Sequence, residues 1–142
     1  MRLSLVMDDT TPEYAGYDLF PDGEYTVEYN YNELLKTSWG PRIILWFVVT
    51  VGEYSGELLP YFCPLKWRNK ERGLTKFGSG SKYEDLMCSA TGWSGKRHDR
   101  CPPSRLKGIM FKAEVVTVKK RGDKTPYPPE EWYSKIETLV KL

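Results

Sequence analysis

Basic and aromatic residues lie next to each other in several parts of this 142-residue chain. Single-stranded nucleic acids attract both types, because phosphates attract Lys and Arg whereas unpaired bases stack on aromatic rings. The neighbouring sets are Lys66-Trp67-Arg68, Lys76-Phe77, Lys82-Tyr83, Trp93 with Lys96 and Arg97, and Lys124 with Tyr127. This mixture predicts a binding groove for a single strand.

We predict nine residues for this groove from their types and from the turns expected beside them. They are Trp39, Arg42, Lys66, Trp67, Arg68 and Lys70, with Lys119, Arg121 and Lys124 closing over the groove from a later basic turn. For Trp39 and Trp67 an equal alternative is that each ring covers an end of the hydrophobic core. The strands and turns that carry these residues decide between the two roles.

The net charge of +2 conceals an uneven distribution of charge along the chain. Residues 1–34 contain eight acidic residues and one basic residue, whereas residues 61–124 contain sixteen Lys or Arg and six acidic residues. Such an asymmetry is typical of a surface that binds a polyanion. The alternative is a folded domain with one basic side that has no ligand.

Cys63, Cys88, His98 and Cys101 form a second group with potential chemistry. Three thiolates and one imidazole could hold a tetrahedral Zn²⁺ ion, although the spacing C-x24-C-x9-H-x2-C is not that of a standard zinc finger. The alternative is three free or buried thiols and a solvated His in a basic loop. Apart from this structural zinc, we predict no cofactor.

The sequence contains no recognisable catalytic group. His98 lies among Lys and Arg residues, which disfavour its protonation and provide no partner that would make it a base. The acidic pair Asp8 and Asp9 lacks a second pair with nuclease-like spacing. Residues 78–81 (GSGS) are not followed by the Gly-Lys-Ser/Thr of a phosphate-binding loop. We therefore predict that the protein is not an enzyme.

Length and composition predict one domain, since 142 residues with 40% hydrophobic and 28% charged residues can bury one core. We expect a flexible arm over residues 1–18 and a domain over 19–142, with a basic insertion that carries Cys and His at about 64–106. Residues 1–7 lack the apolar segment of a secretion signal, and no run approaches the roughly 18 apolar residues of a membrane span. Three cysteines argue against a disulfide framework. These features predict a cytoplasmic protein without a membrane partner.

Alternation of apolar and polar residues predicts five strands. The first starts at Gly23 and places four residues on one dry face, namely Tyr25, Val27, Tyr29 and Tyr31. The others are expected over residues 43–51, 58–62, 106–120 and 132–140. Residues 32–38 are expected to bulge or turn. Between 66 and 107 the only regular element expected is a helix over 81–90, capped by Ser81 and ended by Gly92.

The second strand is apolar on both faces. Its better core face consists of Ile43, Leu45, Phe47, Val49 and Val51, which leaves Trp46 on the other face, either in the core or as a stacking platform. A meander with such a second strand is how an OB-type barrel begins. We therefore predict a mainly β fold, a five-stranded OB-type Greek-key barrel with one short helix between strands three and four. In such barrels the second and third strands face oligonucleotides.

Four stretches resemble phage-encoded OB-fold proteins, the small proteins of replication and recombination clusters that are often treated as single-stranded DNA-binding proteins. The stretches are FPDGEYTVE (20–28), FVVTVGEYSG (47–56), LKGIMFKAEV (106–115) and YSKI (133–136). The end of the Cys/His pattern is also similar to the zinc site of the T-even phage single-stranded DNA-binding protein. The resemblance implies an OB fold and single-stranded DNA as partner.

Residue pattern and resemblance together predict a non-enzymatic protein that binds single-stranded DNA during phage replication or recombination, in the cytoplasm of the bacterial host. Replication or recombination proteins are further expected partners, and an exposed strand edge could pair with a second copy of the chain. The alternative function is an OB-fold interaction module with which a phage binds and inhibits a host protein.

Overall fold

The computed structural model describes residues 19–38, 40–93, 101–119, 125–126, 128 and 132–142. These residues form a mainly β fold with seven strands, one α-helix and one short 3₁₀ helix. In chain order the elements are β1 Gly23–Thr37, β2 Gly40–Val49, β3 Leu58–Pro64, β4 Lys66–Asn69, β5 Leu74–Lys76, α1 Lys82–Thr91, the 3₁₀ helix Pro103–Leu106, β6 Met110–Val118 and β7 Tyr133–Lys141.

Five strands form one antiparallel sheet in the order β3-β2-β1-β6-β7, and β4 and β5 form a separate hairpin. The helix α1 therefore lies in the connection between the third and fourth strands of the large sheet, as predicted. The two edge strands β3 and β7 come together in space, where the rings of Phe62 and Tyr133 lie 6.1 Å apart. The sheet thus curves until its edges meet at this end.

The first strand contains a bulge at Asn30. Tyr29 pairs with Phe47 and Tyr31 with Trp46, so that Asn30 is an additional residue between the two pairs. Because side chains alternate between the faces of a sheet, one additional residue reverses the alternation. Tyr29 is buried, whereas Tyr31 is 42% exposed on the other face. The prediction that Tyr31 shares the dry face is wrong, and β1 continues through Thr37 where a bulge or turn was expected.

The core consists of the inner face of the large sheet and one side of α1. On β2 the four predicted core residues Ile43 to Val49 are buried, and the ring of Phe47 meets those of Tyr29, Tyr61 and Phe111 edge-on. The prediction for Val51 is wrong, because β2 ends at Val49 and Val51 is 63% exposed in the following turn. The inner face of β6 also belongs to the core, with Phe111, Ala113 and Val115 buried.

The segment between the third and fourth strands of the sheet is more ordered than the sequence indicates. It contains the hairpin β4–β5, which was not predicted. Its 3₁₀ helix ends at Leu106, where the fourth strand was expected to begin, and β6 begins only at Met110. The helix α1 has the predicted caps, because the Ser81 hydroxyl accepts a hydrogen bond from the Glu84 N–H and Gly92 adopts the left-handed conformation. Among the described residues no helix is long and apolar enough to cross a membrane.

Candidate nucleic-acid interface

The outer face of β1, β2 and β3 carries an aromatic surface. Trp46 is half-buried there and lies almost parallel to the exposed Tyr31, with ring centroids 6.1 Å apart and 15° between the planes. The Trp46 Nε1–H donates a hydrogen bond to Glu33 Oε1 at 2.6 Å, which fixes the orientation of the indole. Trp46 does not belong to the core, because the inward-pointing residues of β2 form the core without it.

A basic hollow lies where β2 begins and where β3 meets β7. We call it the strand-end hollow. It has a volume of about 430 Å³ and is lined by Gly40, Pro41, Arg42, Phe62, Pro64, Leu65, Lys82 and Lys135. The Arg42 guanidinium lies 5.9 Å from the centre of the Phe62 ring, so a cation and an aromatic ring occupy one wall. Three basic residues and no acidic one line this hollow among those that the structure describes.

Lys82, the first residue of α1, lies where its positive charge is disfavoured. Its Nζ lies 4.1 Å above the ring of Tyr61. Burial lowers the pKa of Lys82, and the nearby positive charge of Lys135 lowers it further, whereas Cys63 and Glu137 act in the opposite direction. An anion placed between Lys82 and Lys135 would relieve both the lost hydration and the mutual repulsion. The strand-end hollow is therefore suited to a phosphate.

A larger cavity lies between the hairpin β4–β5, the start of α1 and the residues before the 3₁₀ helix. We call it the hairpin cavity. Its volume is about 790 Å³, and its lining comprises Ile43, Leu65, Lys66, Arg68, Thr75, Lys76, Phe77, Gly78, Ser79, Tyr83, Cys101 and Pro102. Of these described lining residues three are basic and none is acidic. Leu65 lines both this cavity and the strand-end hollow, so the two are neighbours.

The structure brings together three of the nine groove residues predicted from the sequence. Arg42 lines the strand-end hollow, and Lys66 and Arg68 line the hairpin cavity. Trp67 and Lys70 belong to the same hairpin segment but line neither space. The remaining predicted residues are Lys119, which lies 4.8 Å from the ring of Trp132, and Trp39, Arg121 and Lys124, which lie outside the described residues.

Three cations and three aromatic rings line the two spaces but were not among the predicted groove residues, namely Lys76, Lys82, Lys135, Phe62, Phe77 and Tyr83. The neighbouring pairs Lys76-Phe77 and Lys82-Tyr83 were a usable signal, since each places a cation beside a ring. Lys135 had no such signal, because its position depends on β7 lying beside β3. Phe62 could have been predicted, because the alternation in β3 places its ring on the opposite face of the strand from its buried neighbours, so that it points outward.

The cysteines behave as separate thiols in the described part of the chain. Burial raises the pKa of Cys63 to about 12, with Lys82 acting in the opposite direction. Cys101 is buried and does not lie in an exposed loop, and this burial raises its pKa. Among the described residues no three Cys, His, Asp or Glu side chains are grouped as metal ligands. The predicted zinc ligand His98 lies outside the described residues, so the set of four ligands stays a prediction.

No protein-family model, curated protein or solved structure matches the chain. The two basic spaces and the aromatic face that adjoins them are therefore the features that bear on its function.

Proposed function

We propose that the protein is a non-enzymatic OB-type barrel that binds single-stranded nucleic acid, most simply single-stranded DNA. The observation that carries the proposal is the lining of the two neighbouring spaces. Among the residues that the structure describes, it contains six basic ones and no acidic one, namely Arg42, Lys82 and Lys135 in the strand-end hollow and Lys66, Arg68 and Lys76 in the hairpin cavity. A row of cations beside exposed rings is what a flexible polyanion with unpaired bases requires.

The arrangement of the sheet supports the OB-type assignment. Five strands with the first strand in the middle, a helix between the third and fourth strands, and edges that meet at β3 and β7 are features of such a barrel. Its usual ligand face, on the second and third strands, is here the face that bears Trp46 and Phe62. The resemblance to phage-encoded OB-fold proteins adds phage DNA replication or recombination as the context.

The charges suggest a path for the strand across this face. Glu28 and Glu33 lie on the β1 side of the aromatic surface, whereas Arg42, Lys82 and Lys135 lie on the β3 side. Phosphates avoid the first side and are attracted to the second. We infer that bases stack on Trp46 and Phe62 while the backbone follows the basic side towards the hairpin cavity.

The test is a titration with fluorescently labelled single-stranded oligo-dT, a duplex of equal length and a single-stranded RNA at two salt concentrations. We expect the single strand to bind more tightly than the duplex, with quenching of tryptophan fluorescence and a steep loss of affinity at higher salt. Comparison of DNA with RNA determines which of the two is preferred. Absence of binding to every single strand at low salt would refute the proposal and favour the host-protein interaction module.

A further inference from the structure

We propose that the hairpin cavity takes up one nucleotide whose base is unstacked from the strand, with its phosphate held at the basic rim. This inference rests on the proposed function and assigns a separate role to a part of the surface away from the outer face of β2 and β3. It concerns the cavity between the β4–β5 hairpin and α1, whose lining includes only Lys66 and Arg68 of the nine groove residues predicted from the sequence.

The lining has an apolar floor, whose residues are buried or half-buried, and a basic rim, whose Lys and Arg residues are exposed. Leu65, Phe77 and Tyr83 contribute apolar surface to its lining, and the cationic side chains come from the two strands of the hairpin. Its volume of about 790 Å³ lies within the range of roughly 300–1,000 Å³ that small-molecule sites occupy. A purely apolar ligand would leave the cations unused, and a simple anion would leave the floor unused. A nucleotide uses both.

The aromatic part of the floor is a packed group of rings. Phe77 lies 4.9 Å from Tyr83 and 5.5 Å from Trp93, measured between ring centroids. The Tyr83 hydroxyl donates to the Cys101 carbonyl at 2.7 Å, so this ring is fixed by both its ends. A preformed apolar wall of this kind receives a flat base without first having to be ordered.

The polar residues of the lining can bind any of the bases. Thr75 and Ser79 both contribute to the lining, and a hydroxyl can donate or accept a hydrogen bond. Such groups can satisfy the edge of any base without selecting one. No acidic side chain in the described part of the chain lines the cavity, so none of these residues would repel a phosphate there.

The cavity is also placed where a strand can reach it. Lys82 lines the strand-end hollow and the next residue, Tyr83, lines the hairpin cavity, so the first turn of α1 borders both spaces. A strand whose phosphates follow the basic side of the sheet can therefore turn one base into the cavity. A free mononucleotide has the same chemistry as a nucleotide within a strand, so the experiment must distinguish a free mononucleotide from a bound strand as the ligand.

The experiment measures binding of dTMP, thymidine and inorganic phosphate to the full chain by NMR chemical-shift perturbation, followed by competition with oligo-dT. We expect dTMP to bind more tightly than either fragment, to shift the signals of Thr75, Phe77 and Ser79, and to be displaced by oligo-dT. If dTMP binds no better than phosphate, the cavity is an anion site only and the proposal is wrong. If oligo-dT binds without displacing dTMP, the assignment to a strand is wrong.

A variant that fills the cavity makes the test specific. Ser79 is exposed and lies outside the core, so Ser79→Trp should fold while its ring occupies the space for the base. Ser55→Trp is the matched control, because Ser55 lies in the exposed turn that follows β2, at the opposite end of that strand from the two spaces. We expect Ser79→Trp to weaken dTMP binding at least tenfold and oligo-dT binding by about tenfold, the loss of one stacked base, with no effect of Ser55→Trp. Unchanged binding of both probes would overturn the inference while leaving the proposed function in place.

A smaller perturbation supports the same assignment. A Cβ at Gly78 would approach Lys66 Cε to 3.0 Å, and Gly78 does not have the positive φ that disfavours other residues. Gly78→Ala should therefore displace the Lys66 side chain without straining the backbone. We expect weaker binding of dTMP and of phosphate but unchanged binding of thymidine. Weaker binding of thymidine alone would contradict the proposed position of the phosphate.

Discussion

The salt dependence of binding is the most quantitative consequence of the two basic spaces. If the six cations that line them each neutralise one phosphate of a single strand, the slope of log K against log salt is about −4, since each contact contributes about −0.7. A rise from 50 to 200 mM salt should then lower the affinity roughly 300-fold. The double substitution Arg42→Ala and Lys135→Ala should reduce the slope to about −2.8, and the same change of salt should cost only roughly 50-fold.

The assay is fluorescence anisotropy of labelled oligo-dT at four or more salt concentrations. The control is Lys107→Ala with Lys141→Ala, which removes the same charge from exposed positions that line neither space. Lys141 is on the same strand as Lys135 and about 20 Å further along it, at roughly 3.3 Å per residue. Equal slopes for the double variant, the control and the unaltered chain would show that the strand does not contact the strand-end hollow, and the proposed path would be wrong.

Three further predictions test the platform, the buried thiol and the core. Trp46→Ala should weaken oligo-dT binding by about 1–3 kcal/mol and reduce fluorescence quenching, because one stacked base is lost; unchanged affinity would exclude Trp46 as a platform. The free energy of unfolding should be constant up to about pH 8 and fall above pH 9, because the unfolded chain ionises Cys63 at its ordinary pKa of 9.0 whereas burial raises the folded value to about 12. Chemical denaturation of Cys63→Ala should show a shallower fall between pH 9 and 10, and an identical fall would assign the effect to other groups. Phe47→Ala should lower the free energy of unfolding by about 3–5 kcal/mol, whereas Val51→Ala should change it by less than about 0.5 kcal/mol; similar losses would contradict the assigned core.

The core face of β2 and the caps of α1 could be predicted because their causes are local. Alternation identifies Leu45 and Phe47 as inward residues, and the hydroxyl of Ser81 satisfies a free N–H of the helix wherever the helix packs. The hairpin β4–β5 could not be predicted in this way. Its strands have four and three residues, too few for alternation to be distinguished from chance.

The candidate site was predicted only in part because its residues come from distant elements. Arg42 could be predicted as a binding residue from its local sequence alone, since it begins an apolar strand beside a turn. Lys82 and Lys135 come together because β3 and β7 are the edges of one curved sheet, which is a property of the strand order rather than of any short segment. The sequence could therefore indicate the types of residue that bind a strand but not the two spaces in which they meet.

The bulge at Asn30 explains how the aromatic surface arises. In a regular strand Asn30 would lie opposite Trp46, and the following residues would place Glu33 opposite Ile43 on the core side. The extra residue instead pairs Leu34 with Ile43 and moves Glu33 to the outer face, where its carboxylate accepts the Trp46 N–H. Residues 30–36 of β1 are all exposed, and Leu34 itself is 45% exposed, so the shift decides which side chains share the outer face rather than which are buried. The same shift places Tyr31 beside Trp46, so the ring pair and the carboxylate that orients the indole both follow from one additional residue in β1.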